Sequence, residues 1–248
     1  SGVKAHFADG SAARGDLLVG ADGIHSVIRK GIFPQVRLRY SGYTAWRGVV
    51  AGPGFDLINR TSESWGRGAR FGIVPIGGNR VYWFATANLP SGLRRSPAEH
   101  KADLLRRFRG WHAPVEDIIA ATLEEKILYN DIFDFPPIPR WSAGRVTLLG
   151  DAAHPTTPNM GQGACQAIES SLALARALKE ENSLPAALER YERERRERTA
   201  WITNTSWRLG KVAQLENPVL CGVRDGVMRM TPDSVMKGQI VKAAGYEV

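Results

Sequence analysis

Between residues 144 and 175 the chain runs GRVTLLGDAAHPTTPNMGQGACQAIESSLALA, an order of residue types that few folds accommodate. Val146-Thr147-Leu148-Leu149 is a short apolar run with the composition of a buried strand. Gly150-Asp151 closes it, and Pro155 and Pro158 keep the next loop free of regular structure as far as Gly161. From Gly161 small residues lead into a helix, with Cys165, Ile168, Leu172 and Ala175 predicted on one face. The pattern is strand, acidic turn, rigid loop and glycine-rich helix start. Free amides and the macrodipole at such a helix start attract an anion or an electron-rich carbonyl, and glycines let a ligand approach the backbone. A carboxylate at the end of the strand suits a sugar or ribityl hydroxyl, as acidic residues do in dinucleotide sites. A plainer reading stays open here: Asp151 caps the turn, and Gly161 and Gly163 relieve a crowded helix start.

A second segment has the same grammar. Residues 3–7 alternate toward Asp9-Gly10, a hairpin turn signal, and the returning strand is expected to end in GDLLVGADG at residues 15–23. A helix over about 24–30 follows, for which Asp22 and Ser26 are natural caps.

GDAAHP, then NMGQGA, then a helix closely resembles the second FAD-contacting motif of the flavoprotein monooxygenases of the aromatic-hydroxylase type. GADGIHSVIRK resembles that family's other characteristic pattern. The resemblance implies cofactor contacts at Gly150, Asp151, Ala152 and Pro155, and along Gly161, Gln162, Gly163, Ala164 and Cys165. In it the aspartate holds the ribityl chain and the helix start faces the pyrimidine end of the isoalloxazine ring. In the earlier motif it implies Asp22, Gly23, Ser26 and Arg29, with Asp22 and Arg29 serving FAD and implicated in pyridine-nucleotide use. Arg29 is chemically apt, since a guanidinium can bind a pyrophosphate in bidentate fashion. Cys165 stands where many members have Asn, which makes the chain similar to the zeaxanthin-epoxidase and urate-hydroxylase-like branches.

The segment between the motifs, roughly residues 33–136, changes character. Residues 40–50, 70–74 and 80–87 have strand composition bounded by Gly, Pro and Asn, as expected of an antiparallel substrate-binding sheet covered on one face. Trp46, Phe71, Trp83 and Phe84 are candidates for an aromatic pocket or for ordinary sheet core. Arg47 and Arg70 lie within apolar strands, where an arginine answers either an anionic or polar ligand or the solvent. Ser96 and Pro97 open an amphipathic helix over 96–109 with Leu104, Leu105 and Phe108 as its stripe. A short helix over 114–121 and a strand over 127–135 complete the segment. Beyond it, Ser183 and Pro185 start a long helix to about Val212, and Pro218 and Pro232 divide the tail into two shorter ones.

The formal net charge of +8 raises the question of nucleic acid. The densest basic run, RYERERRER at residues 190–198, interleaves arginine with glutamate and so predicts an ion-paired helix face, and nucleic acid is not expected as a partner. A phosphate-bearing cofactor is a second reason for mild basicity. Two cysteines and five scattered histidines offer no metal spacing, and no apolar run reaches membrane-spanning length.

Together these features predict a mixed α/β fold. A partial FAD-binding, Rossmann-like domain (1–31 and 137–182) is interrupted by the antiparallel sheet (32–136), and a helical segment (183–248) follows. The GxGxxG unit with which such enzymes begin is absent from these residues, so the chain is expected to be an N-terminally truncated member. The function the resemblance implies is FAD-dependent hydroxylation or epoxidation of a small molecule with NAD(P)H and O2, the flavin carrying the chemistry and no side chain acting as nucleophile. Arg47 and Arg70 favour a polar or anionic, aromatic substrate. A related FAD oxidoreductase such as a halogenase, or a non-catalytic remnant, is the alternative. The tail helices are candidates for packing on the flavin domain or across a homodimer contact, and the compartment is left open.

Overall fold

A computed structural model describes residues 2–52, 54 and 59–245. The elements in chain order are β1 (Val3–His6), β2 (Ala12–Gly15), β3 (Leu18–Gly20), α1 (Val27–Ile32), β4 (Arg39–Ala51), β5 (Ser62–Trp65), β6 (Ala69–Pro75) and β7 (Arg80–Ala87). After them come α2 (Pro97–Arg107), α3 (Val115–Ala121), β8 (Leu128–Asp134), β9 (Ser142–Ala143), β10 (Val146–Leu148), α4 (Gly163–Glu180), α5 (Leu184–Ala213), α6 (Pro218–Met230) and α7 (Asp233–Ala244). Mixed α/β architecture is thus realised. Among the described residues, no helix is long and apolar enough to cross a membrane.

The chain divides into two compact units. One comprises Ser1–Ser41, Phe133–Gly210 and Thr231–Val248, the other Gly42–Ile132 and Lys211–Met230. Within the C-terminal helical segment, α5 as far as Gly210 belongs to the first unit and α6 to the second. The reason for α5 is legible on its surface, where Leu188, Tyr191, Arg195 and Thr199 form one fully buried stripe.

In the first unit, β3 and β10 run parallel, with Leu18 opposite Val146 and Gly20 opposite Leu148, and β9 flanks β10 in antiparallel fashion. The expected single returning strand is two strands: β2 closes the hairpin with β1, and β3 joins this other sheet. Leu148, Ala153, Leu174, Tyr191 and Trp141 build the core against α4 and α5. On the outside of α5, Arg190 bonds Glu180, Glu181 and Glu194, the ion-paired face that its interleaved charges predict.

The second unit rests on a sheet ordered β5-β6-β7-β4-β8. Its register sorts the side chains into two faces. Trp46, Val50, Phe71, Ile73, Val81 and Trp83 share one face and pack with Leu104 of α2, Phe108 just after it and Ile118 of α3. Arg47, Arg70, Gly72, Tyr82, Phe84 and Thr86 occupy the other. Helix α2 starts at a complete capping box, Ser96 with Glu99.

Gly48 tests how tightly the first face is packed. A Cβ there would lie 2.8 Å from the indole of Trp83, which is fully buried and donates Nε1–H to Thr122. Gly48→Ala is expected to cost about 1–3 kcal/mol by overpacking, read from a urea melt; an unchanged midpoint would show that the indole has room to give.

Candidate functional site

Parallel pairing of β3 with β10 brings the two acidic turns to the same sheet end, because Asp22 and Asp151 each follow the C-terminal end of one of these neighbouring strands. That crevice is where open α/β sheets bind ligands.

Asp22 accepts from the amides of Val27 and Ile28 at 2.7 and 3.2 Å, and Ser26 Oγ accepts from the Arg29 amide at 2.8 Å. Both thus cap α1, which begins three residues later than the sequence pattern indicates. Burial alone would raise the Asp22 carboxyl, but bonds from Ser26, Ile28 and Val27 outweigh it and hold the pKa below the usual range. Gly23 takes a left-handed φ of 75°, which turns the chain from β3 into the helix.

Arg29 departs from the expectation of a guanidinium offered to a pyrophosphate. Only 2% of it is exposed. Its Nη1 donates to the Ala152 carbonyl at 3.1 Å, its Nη2 donates to the Ile24 carbonyl, and the group lies 4.6 Å from the centre of the Phe135 ring. Its fork is therefore occupied by backbone carbonyls, and one of them belongs to the other motif.

Asp151 is the opposite case. It sits in a single 3₁₀ turn, Gly150–Ala152, that Gly150 opens with a φ of 62°. The residue is exposed, partial desolvation by its surroundings raises its carboxyl above the usual carboxylate range, and among the described residues no protein group donates to it or pairs with it. The next residues run past buried Ala152 and Pro155 to Gly161, whose φ of 64° ends a short turn over Pro158–Met160. Gln162 then caps α4 without a side-chain bond, and its own Oε1 is buried with no partner. Gly163 is half-buried, whereas Ala164 and Cys165 are exposed on the first turn of α4.

The face predicted for α4 is the outer one. Ile168 and Leu172 are 63% and 55% exposed, and the buried positions are Gln166, Ser170, Ala173, Leu174 and Ala177. The inward face is partly polar because Arg195 of α5 reaches it, bonding Gln166 Oε1 at 2.7 Å and Glu169 at 2.7 Å.

Of the six residues considered for a substrate pocket, Trp46, Phe71 and Trp83 are core. Phe71 stacks on Trp83 at 5.6 Å, and Trp46 donates to His100 Nδ1 at 3.1 Å. Arg47 and Arg70 lie on the opposite face. Arg47 is exposed, meets Asn130 Oδ1 at 2.6 Å, and borders a groove of about 640 Å³ with Val49, Tyr82, Lys126 and Leu128. Arg70 is buried among Glu63, Thr86 and Gln214. Phe84, the remaining aromatic candidate, shares that face with Tyr82, which strict alternation from the two arginines could have found. A Cβ on Gly72 would lie 2.0 Å from the Phe84 ring, so glycine there lets the ring lie across the sheet.

His154, in the same loop as Asp151, went unassigned in the sequence. Burial pushes its pKa down to about 4, and its Nε2 meets Ser170 Oγ at 2.9 Å. A folded-state pKa below the unfolded value of about 6.5 means stability that is present above pH ~6.5 and lost as pH falls toward ~4. His154→Gln, which cannot titrate, is expected to flatten that acid limb by up to about 1.4 kcal/mol per pH unit. Urea melts between these pH values check it; parallel limbs in parent and variant would show that His154 protonates while folded.

The family described as FAD binding domain matches residues 2–206 of the chain. The aurachin C monooxygenase/isomerase of Stigmatella aurantiaca is 50% identical over 229 residues, 92% of this chain and 60% of that protein. The FAD-dependent urate hydroxylase of Klebsiella pneumoniae subsp. pneumoniae is 40% identical over 204 residues, 79% of this chain and 52% of the relative. A crystal structure of Klebsiella pneumoniae HpxO complexed with FAD and uric acid matches with a TM-score of 0.90 at 32% identity, over 99% of this chain and 64% of that one. The chain thus spans 52% to 60% of the length of these curated relatives.

Proposed function

The chain belongs to the FAD binding domain family, and from that premise we propose that the whole protein is an FAD-dependent monooxygenase that uses NAD(P)H and O2 to hydroxylate or epoxidise a small organic molecule. The observation that carries this reading is the unpartnered Asp151 carboxylate, set beside an uncapped helix start and facing the same sheet end as the Asp22 turn. Its relatives include a monooxygenase/isomerase and a hydroxylase at 50% and 40% identity.

The residues present suit a flavin nucleotide. Asp151 is an acceptor without a donor, as a ribityl hydroxyl requires. Ring carbonyls find donors in the first amides of α4, which no side chain caps, and Gln162 offers a buried acceptor that lacks a partner. Gly161 and Gly163 keep the backbone bare at that turn, with Ala164 and Cys165 beside it. Asp22, Gly23, Ser26 and Arg29 hold the neighbouring turn and tie it to Ala152, while Gly150 turns the chain with a left-handed φ and Ala152 and Pro155 are buried in the loop. When bound, FAD supplies the redox and oxygen chemistry; the protein binds, orients and excludes water.

For the substrate, the face bearing Arg47, Arg70, Tyr82 and Phe84 supports a polar or anionic aromatic small molecule. Exposed Arg47 beside the Tyr82 phenol and the Phe84 ring on one sheet face suits a flat ring with polar edges, while Arg70 is held by Glu63, Thr86 and Gln214 and lends that face its charge from below the surface. The relatives named for urate hydroxylation and crystallised with uric acid lend this the same direction.

Asp151→Ala removes a charge-assisted hydrogen bond worth about 1.5–3 kcal/mol, so FAD affinity is expected to fall roughly 10- to 100-fold with the fold intact. FAD titration beside NAD(P)H-dependent oxygen incorporation into a panel of polar aromatics checks both halves. A folded variant with unchanged affinity removes Asp151 from the site, and a loaded parent that oxidises NAD(P)H without ever oxygenating any organic substrate overturns the monooxygenase reading.

A further inference from the structure

We propose that a polar ladder on α5, built from Thr203, Ser206 and Gly210, is the positioning element for the loop that presents the flavin-binding turn. This rests on the FAD reading of that turn. Loop and helix meet in register. Thr203 Oγ1 donates to the Pro155 carbonyl at 3.2 Å, and Ser206 Oγ donates to the Thr157 carbonyl at 2.6 Å. Asn159 lies against Gly210, where a Cβ would fall 2.5 Å from its Nδ2. Alternate loop residues 155, 157 and 159 thus face helix residues 203, 206 and 210.

The match follows from elementary geometry. An extended, proline-containing segment advances about 3.1 Å per residue, so two residues cover about 6 Å. Three or four helical residues at 1.5 Å each cover about 4.5–6 Å. Thr157 has the required extended backbone, with φ −63° and ψ 155°. Register is locked by a chain of bonds in one direction: Asn159 Nδ2 donates to Thr157 Oγ1, Thr157 Oγ1 meets Ser206 Oγ, and Ser206 Oγ donates to the Thr157 carbonyl. Asn159 Nδ2 also donates to the Ser206 carbonyl at 2.9 Å. Thr157, Thr203 and Ser206 are 2% exposed or less, so water does not replace a lost partner. At the far end of the loop the Gly161 amide donates to the Pro158 carbonyl at 3.0 Å, which hands the register on to Gln162 and α4.

The ladder residues are buried against the loop and bond its backbone and side chains, so these are positioning residues. Their effect on FAD is through the placement of residues 161–164. Helix amphipathicity does not explain them: an ordinary core helix would carry aliphatic residues at these fully buried positions.

The test uses the full-length protein with Thr157→Val, an isosteric change that breaks the bond chain, and Ser206→Ala; Thr203→Val serves if either fails to fold, and exposed Asn204→Ala is the control. Hydrogen exchange without FAD is expected to speed roughly 10-fold at the Gly161 amide and its neighbours. With FAD, the dissociation constant is expected to rise about 5- to 20-fold and the flavin potential to shift. The Thr157→Val and Ser206→Ala effects should not add, since both break one chain. Faster loop exchange with unchanged FAD binding and potential overturns the positioning role, and so does exchange within twofold of the parent in both variants. A parent that takes no FAD overturns the function proposed above, whereas the exchange arm still decides whether α5 holds the loop.

Discussion

The Arg29 guanidinium is the interaction on which the site depends. It is a buried cation whose burial is opposed by the negative charge of Asp22, and its fork is closed by carbonyls of Ile24 and Ala152. Ala152 follows Asp151 directly, so one side chain from the first acidic turn fixes the backbone of the second. Its two Nη donors thus bond one carbonyl in each motif, so the placement of either turn depends on the other. Lysine lacks the planar fork and would leave one carbonyl unmet.

Around that link the first unit converts sequence spacing into placement. Parallel pairing of β3 and β10 directs two turns to one sheet end, α1 is capped by Asp22, and α4 starts bare. The polar side of α5 then secures what the link leaves free. Arg195 reaches Gln166 and Glu169 on α4, while Thr203 and Ser206 reach the loop. The exposed side of the same helix carries ion pairs that contribute little each.

Much of this was legible in the residues. Strand, acidic turn, proline loop and glycine-rich helix start were each set by local chemistry, and 80–87 emerged as the strand β7 with its expected bounds. What escaped was direction. Ile168 and Leu172 are apolar but outward, because α4 spends its inner face on small and polar groups that meet Arg195. Trp46, Phe71 and Trp83 could not be told from pocket residues until register put them on the helix-covered face. Arg29 looked available because a guanidinium suits both a phosphate and two carbonyls, and only the fold decides which it meets. The α5 ladder was hidden for a related reason: Thr, Ser and Gly inside a long charged helix resemble solvent positions until a loop lies against them.

The most direct measurement is a hydrogen-exchange footprint of FAD on the full-length protein. If one site is formed by the two turns, adding FAD slows exchange together at residues 20–29 and 150–165 and leaves the buried face of the sheet bearing Trp46 and Trp83 unchanged. Protection confined to either turn alone, or lying outside both, would contradict a single site joined through Arg29.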